Sequence, residues 1–372
     1  MNLLKKPETF VWILFFVILA SCSSNKTDLG SPVIIEIDTT NIDNTGPVNV
    51  ESYGLNFTEF YNQRELEHFE NWGPPLIRNQ KLIFYNIEGA KKEHQYFAVF
   101  NEGKTDLIES FETNVESGII YALHYFESTG NYVILYLFRK IGIYNHSSDE
   151  FILNKTDWNC HSGIANSDTT MVVLGVEGPE KEQVPSLIEI SDKGEIGRIV
   201  SFPDRTLSKL SAHTEKLFFY NNSIFWFSRK DLSLFKVDKD FNIRPVLKVG
   251  AENMVSYEEE SDPYKFSPLE MNKFVNRTYV HPGMKLMGDH LILHLRIDTK
   301  SYTLVINLVS LEYQLNKDFR LKNKDGIILS TYVGYPPSVS VVVPVIEDYE
   351  DHIFKTAQSV PDYKGPSAIY IK

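Results

Sequence analysis

The chain has 372 residues, with 49 acidic side chains against 37 basic ones, a formal charge of -12 and 42% hydrophobic residues. That balance argues against nucleic acid and against electrostatic adhesion to anionic lipid, both of which need a basic face. Two cysteines exclude a disulfide framework, so a core rich in Phe, Tyr, Ile, Leu and Val has to hold the fold.

Lys5 and Lys6 form a short basic start, Phe10 to Leu19 is an unbroken apolar run, and Ala20 and Ser21 lead into Cys22. That order is the order of a secretory signal over residues 1 to 21. Ten apolar residues cover only about 15 Å as a helix, against the ~30 Å of a bilayer core, which disfavours a permanent spanning helix. Leu19-Ala20-Ser21-Cys22 resembles the lipobox of bacterial lipoproteins. The resemblance implies diacylation of the Cys22 sulfur with palmitate-type chains and acylation of the new amino terminus. More than one chain on one residue anchors stably, because each buried methylene contributes ~0.8 kcal/mol. Ser23 follows Cys22 where an aspartate would resemble an inner-membrane retention signal. The expected address is therefore the outer membrane, facing the periplasm, with the cell surface as the alternative.

Residues 22 to 32 are polar and small after the cysteine, the composition of a flexible tether, and 33 to 372 read as one domain. With Cys22 lipidated, Cys160 has no bridge partner. It reads as a small buried hydrophobe, not as a thiol nucleophile beside His161, because strand neighbours point to opposite faces.

From Val33 onward, short apolar runs alternate with Asn, Asp, Gly, Ser, Lys and Glu, and long helical periodicity is nearly absent. Leu82 to Tyr85, Tyr132 to Phe138, Leu217 to Tyr220, Ile224 to Phe227 and Val339 to Val343 are apolar at consecutive positions. Strands with one wet face would alternate, so these predict sheets covered on both faces, as in radially stacked blades. Five times an apolar strand runs into a polar turn, marked by Asn101, Asn145, Ser191, Asp238 and Asn307 at intervals of 44, 46, 47 and 69. Four strands with short connections need roughly 40 to 50 residues, the span of one propeller blade. The long interval predicts an insertion at about 250 to 282. A further blade assembles from Ile327 to Val333, Val339 to Ile346 and Ala368 to Ile371, with Val33 to Ile37 arriving from the amino terminus. The expected fold is all-β, a six-bladed β-propeller with a short helix in one inserted loop; seven blades or stacked β-sandwiches are the alternatives.

A lipobox, a mature length near 350 and degenerate blades together resemble the six-bladed propeller lipoproteins of Bacteroides-type bacteria. The chain is similar to the uncharacterised group called domain of unknown function 4221, and it lacks the Gly-Pro-Gly-Glu stretch of a neighbouring propeller lipoprotein family. The resemblance implies no catalytic residue.

Within the insertion, Ser267-Pro268-Leu269-Glu270 sets a cap, a first-turn proline and an acid before Met271, Phe274 and Val275, which predicts a short helix. Glu258, Glu259, Glu260 and Asp262 precede it and lack the Asp-x-Asp-x-Asp-Gly loop that orients calcium ligands, so they read as a solvated acidic loop. Loops carry recognition, and Glu258, Glu259, Glu260, Asp262 and Phe274 are the candidate docking element. His290 and His294 stand about 13 Å apart on a strand, too far for one metal ion, and Leu291, Leu293 and Leu295 oppose them as a core face. His281, before Pro282-Gly283, reads as a histidine in a turn. Trp226 lies in an apolar run and reads as core. Asp38-Thr39-Thr40 and Asp168-Thr169-Thr170 resemble acceptors of Bacteroides-type O-glycosylation, which makes Thr39 and Thr169 candidates. No metalloprotease, nucleophile-elbow or phosphate-loop motif is present, and neither metal nor cofactor is expected. The expected function is a lipid-anchored, non-catalytic binding or scaffolding propeller, with an envelope protein or glycan as partner and no nucleic acid. The alternative is a periplasmic enzyme acting on glycans or peptides at the central channel.

Overall fold

A computed structural model describes residues 31–40, 48–49, 57–60, 76–78, 81–85, 95–101, 107–113, 120–136, 139–177, 184–203, 216–228, 232–252, 254, 278–297, 300–316, 321–322, 328–330, 341–348, 353–356 and 368–371. Among them there is no α-helix. Three strands come first: β1 (Val33–Ile37), β2 (Val48–Asn49) and β3 (Phe57–Phe60).

Five four-stranded antiparallel meanders then follow one another in chain order. The first is β4 (Leu76–Arg78), β5 (Lys81–Tyr85), β6 (Gln95–Asn101) and β7 (Leu107–Thr113). The second is β8 (Ile120–Phe126), β9 (Asn131–Tyr136), β10 (Lys140–Asn145) and β11 (Glu150–Lys155). The third is β12 (Asn159–Ala165), β13 (Thr170–Glu177), β14 (Val184–Ser191) and β15 (Ile196–Ser201). The fourth is β16 (Lys216–Tyr220), β17 (Ser223–Ser228), β18 (Ser233–Val237) and β19 (Ile243–Ala251). The fifth is β20 (Thr278–Met287), β21 (His290–Ile297), β22 (Lys300–Asn307) and β23 (Tyr313–Asn316). A composite sheet gathers the two ends of the chain: β24 (Leu321–Lys322), β25 (Ile328–Ser330), β26 (Val341–Asp348), β27 (Ile353–Thr356) and β28 (Ala368–Ile371), with β2 beside β24 and β3 beside β28.

This is the architecture of a β-propeller, because each meander buries its faces against its chain neighbours. One apolar cluster joins the first and second sheets, through Phe97, Phe100, Phe111, Tyr132 and Tyr144. Others join second to third, third to fourth and fourth to fifth. Middle strands are wet on neither face: Leu82, Ile83, Phe84 and Tyr85 are all buried, as are Asn131 to Tyr136. Fourth strands form the rim; β11 and β15 are exposed along nearly their whole length. First strands meet at the inside, where β12 packs against both β8 and β16.

The sequence markers occupy one structural position. Asn101, Asn145, Ser191, Asp238 and Asn307 end, or directly follow, the third strand of their sheets. Asn145, Ser191, Asp238 and Asn307 accept backbone N–H groups of the turn that follows, an Asx-type closure that substitutes for backbone pairing. Gly194, at φ 75°, completes the third-sheet turn, and a Cβ there would lie 2.5 Å from Ile143 of the second sheet.

One expectation is corrected. Val33 to Ile37 does not join the composite sheet; β1 adds as a fifth strand to the fourth meander, parallel to β19 and paired Val33 to Leu247 through Ile37 to Ala251. The reason is apolar: Ile35 and Ile37 are 6% and 4% exposed and cover Leu247 and Val249. The strand that the amino-terminal part gives to the composite sheet is β3, antiparallel to β28.

Candidate functional site

Each first strand starts at the same end of its sheet, and three of the ladders between first and second strands break toward that end. In β8 the register shifts between Ile120 and Ala122, leaving Tyr121 as an extra residue. In β12 it shifts between Cys160 and Ser162, leaving His161. In β20 it shifts between Val280 and Met284, across His281, Pro282 and Gly283. Bulges bend a strand and re-aim a side chain, and they gather beside sites. Three first strands thus carry one, at the second residue of β8, the third of β12 and the fourth to sixth of β20.

Adjacent first strands are fixed in height by two contacts. The Leu217 N–H donates to Ser162 Oγ at 3.0 Å, which sets Lys216 of β16 level with His161 of β12. Gly163 lets β8 approach: a Cβ there would stand 3.3 Å from the Ala122 Cβ and 2.5 Å from Met171 Cε. His161 and Lys216 are 3% and 4% exposed, so two basic side chains are enclosed at this end. His124 of β8 is also buried, with its ring edge-on to Phe126 at 4.6 Å. It lies two residues beyond the Ala122–Gly163 contact while His161 lies two before it, which separates the two along the strands by about 13 Å. That is too far for one metal ion or one proton transfer, and no group of three potential metal ligands occurs among the described residues.

Cys160 sits beside this bulge and faces the core between the second and third sheets at 1% exposure. Burial pushes its thiol up to about 12, so it is protonated at neutral pH and acts as a small hydrophobe.

A second group of ionisable side chains lies at the opposite end, between the first two sheets. The Glu109 side chain, 8% exposed, accepts the Tyr132 hydroxyl at 3.0 Å and lies 2.6 Å from His146 Nδ1. Burial first, and the Glu109 carboxylate second, push the Tyr132 hydroxyl well above its ordinary range. The Tyr144 hydroxyl donates to Asp149 at 2.9 Å, and Lys81 Nζ sits 4.3 Å above the Tyr125 ring. Here the turn of one sheet locks onto the rim strand of the sheet before it. Arg198 of β15 and the 238–242 turn repeat the arrangement, with Arg198 Nη1 donating to the Lys239 carbonyl and lying 3.4 Å from Asp240.

Cys22, Glu258, Glu259, Glu260, Asp262 and Phe274 lie outside the described residues, as does the expected helix from Ser267. The segment's ends do not. β19 closes at Ala251 and β20 opens at Thr278, so the chain leaves and returns at the bulged end of the sheets. Thr39 is part-buried directly after β1, and Thr169 is exposed in the β12–β13 turn, where its carbonyl accepts Asp192 N–H. His290 and His294 fall on β21 as expected, facing their cross-strand partners Asn307 and Thr303, while Leu291, Leu293 and Leu295 are fully buried. Trp226 is fully buried. Lys216 and the bulge at Tyr121 were not singled out from the sequence. The available signal for the first was a charge at the head of the apolar run Leu217 to Tyr220.

The chain matches no protein-family model and no curated protein sequence. Among solved structures, a Bacteroides fragilis protein assigned as exported shares the fold, at 10% identity over 91% of this chain and 99% of that one, with a TM-score of 0.56. A Bacteroides caccae protein of unknown function aligns over 75% of this chain and 85% of its own, at 10% identity and a TM-score of 0.37. The β-propeller domain of the Trilobed protease from Pyrococcus furiosus aligns over 80% and 86%, at 13% identity and a TM-score of 0.42.

Proposed function

We propose that this protein is an exported propeller of the cell envelope, held to the outer membrane by lipid on Cys22, whose bulged axial face binds a partner without transforming it. The observation that carries the reading is a coincidence of position. The breaks at Tyr121, His161 and His281 to Gly283, the enclosed pair His161 and Lys216, and both ends of the segment bearing Glu258, Glu259, Glu260, Asp262 and Phe274 share one end of the sheets. Rigid strands that present irregular backbone beside a long connection form a recognition surface. An envelope protein or a glycan is the partner class. Export is supported by the Lys5 to Cys22 leader and by the shared fold of the exported Bacteroides fragilis protein. The resemblance to domain of unknown function 4221 belongs to this same reading.

The test is a crosslinked pull-down of tagged protein from its native envelope, beside a variant lacking residues 255 to 276. One stoichiometric partner that disappears with the deletion is expected. Retention of the same partner by the deleted chain would move recognition off this face, and a partner-free wild type would end the reading.

A further inference from the structure

The rim strands treat their open edges differently. In the fourth sheet the edge is covered: β1 pairs with β19, and Leu247 and Val249 are 2% and 1% exposed beneath it. The pairings of β7 and β15 each break register, between Val99 and Phe100 and between Ile188 and Ile190. Such bulges twist an edge away from further pairing. β23 has only four residues. Among the described residues β11 alone of these is long, unpaired on its outer edge and regular, with six consecutive pairs to β10 from Asn145–Glu150 to Lys140–Lys155 and no shift. It also leaves Ile152 and Leu153 47% and 36% exposed.

We propose that β11 is a self-pairing edge through which two copies of this chain join about a twofold axis, making one continuous sheet of their second meanders. The direction of its free backbone groups fixes the register. Thr156 N–H donates to the Arg139 carbonyl, so by alternation the even residues of β11 bond to β10 and Phe151, Leu153 and Lys155 turn their N–H and C=O groups outward. A twofold axis through Ile152 makes Ile152 face itself in a non-hydrogen-bonded pair. Phe151 then meets Leu153 of the second copy, and Asp149 meets Lys155. Apolar residues thus oppose apolar ones, and opposite charges meet at both ends of the ladder. β1 on β19 shows edge completion within the chain, there in parallel: a short apolar strand completes a rim edge.

The experiment uses the full chain with Ile152→Cys, oxidised in the envelope and run on a non-reducing gel. Cα atoms of a non-hydrogen-bonded pair lie ~4.5 Å apart, within disulfide reach. A band at twice the chain mass, abolished by reductant, is expected. Ile199→Cys, on the shifted β15 edge at 40% exposure, should stay at single mass, as should the parent chain with Cys160 buried. Leu153→Pro removes an outward N–H while sparing the β10 ladder, so the double variant Ile152→Cys/Leu153→Pro should keep the parent melting temperature within a few degrees and lose at least about nine-tenths of the crosslink. Crosslinking of Ile152→Cys no stronger than that of Ile199→Cys would overturn the proposal. So would undiminished crosslinking in a folded Leu153→Pro background.

Discussion

Asp238 closes the fourth-sheet hairpin with a single carboxylate. Its Oδ1 accepts the N–H groups of Asp240 at 2.8 Å and Asn242 at 2.9 Å, and its Oδ2 accepts the Asn242 amide at 3.0 Å. The Asn242 side-chain bond, followed by the two backbone bonds, holds the carboxyl below its ordinary value of 3.8. A depressed folded value stabilises above the unfolded one, and that contribution disappears as pH falls through the folded value. The side chain is exposed, so screening leaves about 0.5 to 1 kcal/mol. Asp238→Ala should lower the unfolding free energy read from urea titration near neutral pH by that much, with the difference narrowing as pH falls below the ordinary carboxylate value. Asp238→Asn should keep most of the stability and lose the acid dependence, because an amide oxygen still accepts the backbone bonds. Turn residues of this kind were legible because their chemistry is local: an oxygen-bearing side chain ends an apolar run wherever the chain reverses. His161 was not legible as a bulge. An extra residue in a ladder is a property of two paired strands, and nothing in Asn159 to Ala165 alone states which residue the partner skips.

At the scale of elements, β1 illustrates the same boundary. Val33-Ile34-Ile35-Glu36-Ile37 reads as a strand from composition, yet its placement beside β19 depends on an edge more than two hundred residues away. The choice is decided by burial. Ile35 and Ile37 enter the core between the fourth and fifth sheets, whereas Ile34 is 59% exposed and Glu36 points outward. Removing a buried isoleucine side chain costs about 2 to 5 kcal/mol through lost transfer energy and the cavity left behind. Ile35→Ala and Ile37→Ala should each destabilise by about 2 to 4 kcal/mol in chemical unfolding, while Ile34→Ala stays within about 0.5 kcal/mol. Equal and small effects at all three positions would mean that β1 is a passive extension of the tether and does not cover β19. The repeat itself was legible at this scale, since consecutive buried residues such as Leu82 to Tyr85 have one explanation in an all-β chain: a sheet between two sheets.

For the whole molecule, charge and anchoring make opposite predictions about what releases it from a membrane. A chain of net charge -12 meets anionic lipid with repulsion, so adhesion cannot come from its average field. Among the described residues no helix is long and apolar enough to span a bilayer, and the proposed hold is lipid on Cys22. Two or more acyl chains anchor through buried methylenes, a contribution insensitive to ionic strength, whereas charge contacts weaken as the screening length falls to about 3 Å near 1 M salt. The full chain should therefore remain with the envelope membranes through a wash of about 1 M salt and leave only with detergent. Cys22→Ala should remove the acylation and shift the protein from the detergent phase to the aqueous phase on partitioning. Because β1 fastens the start of the domain to the rim of the fourth sheet, the release should leave the melting temperature unchanged. Salt release of the wild-type chain, or detergent-phase partitioning of Cys22→Ala, would place the membrane contact on the domain surface instead.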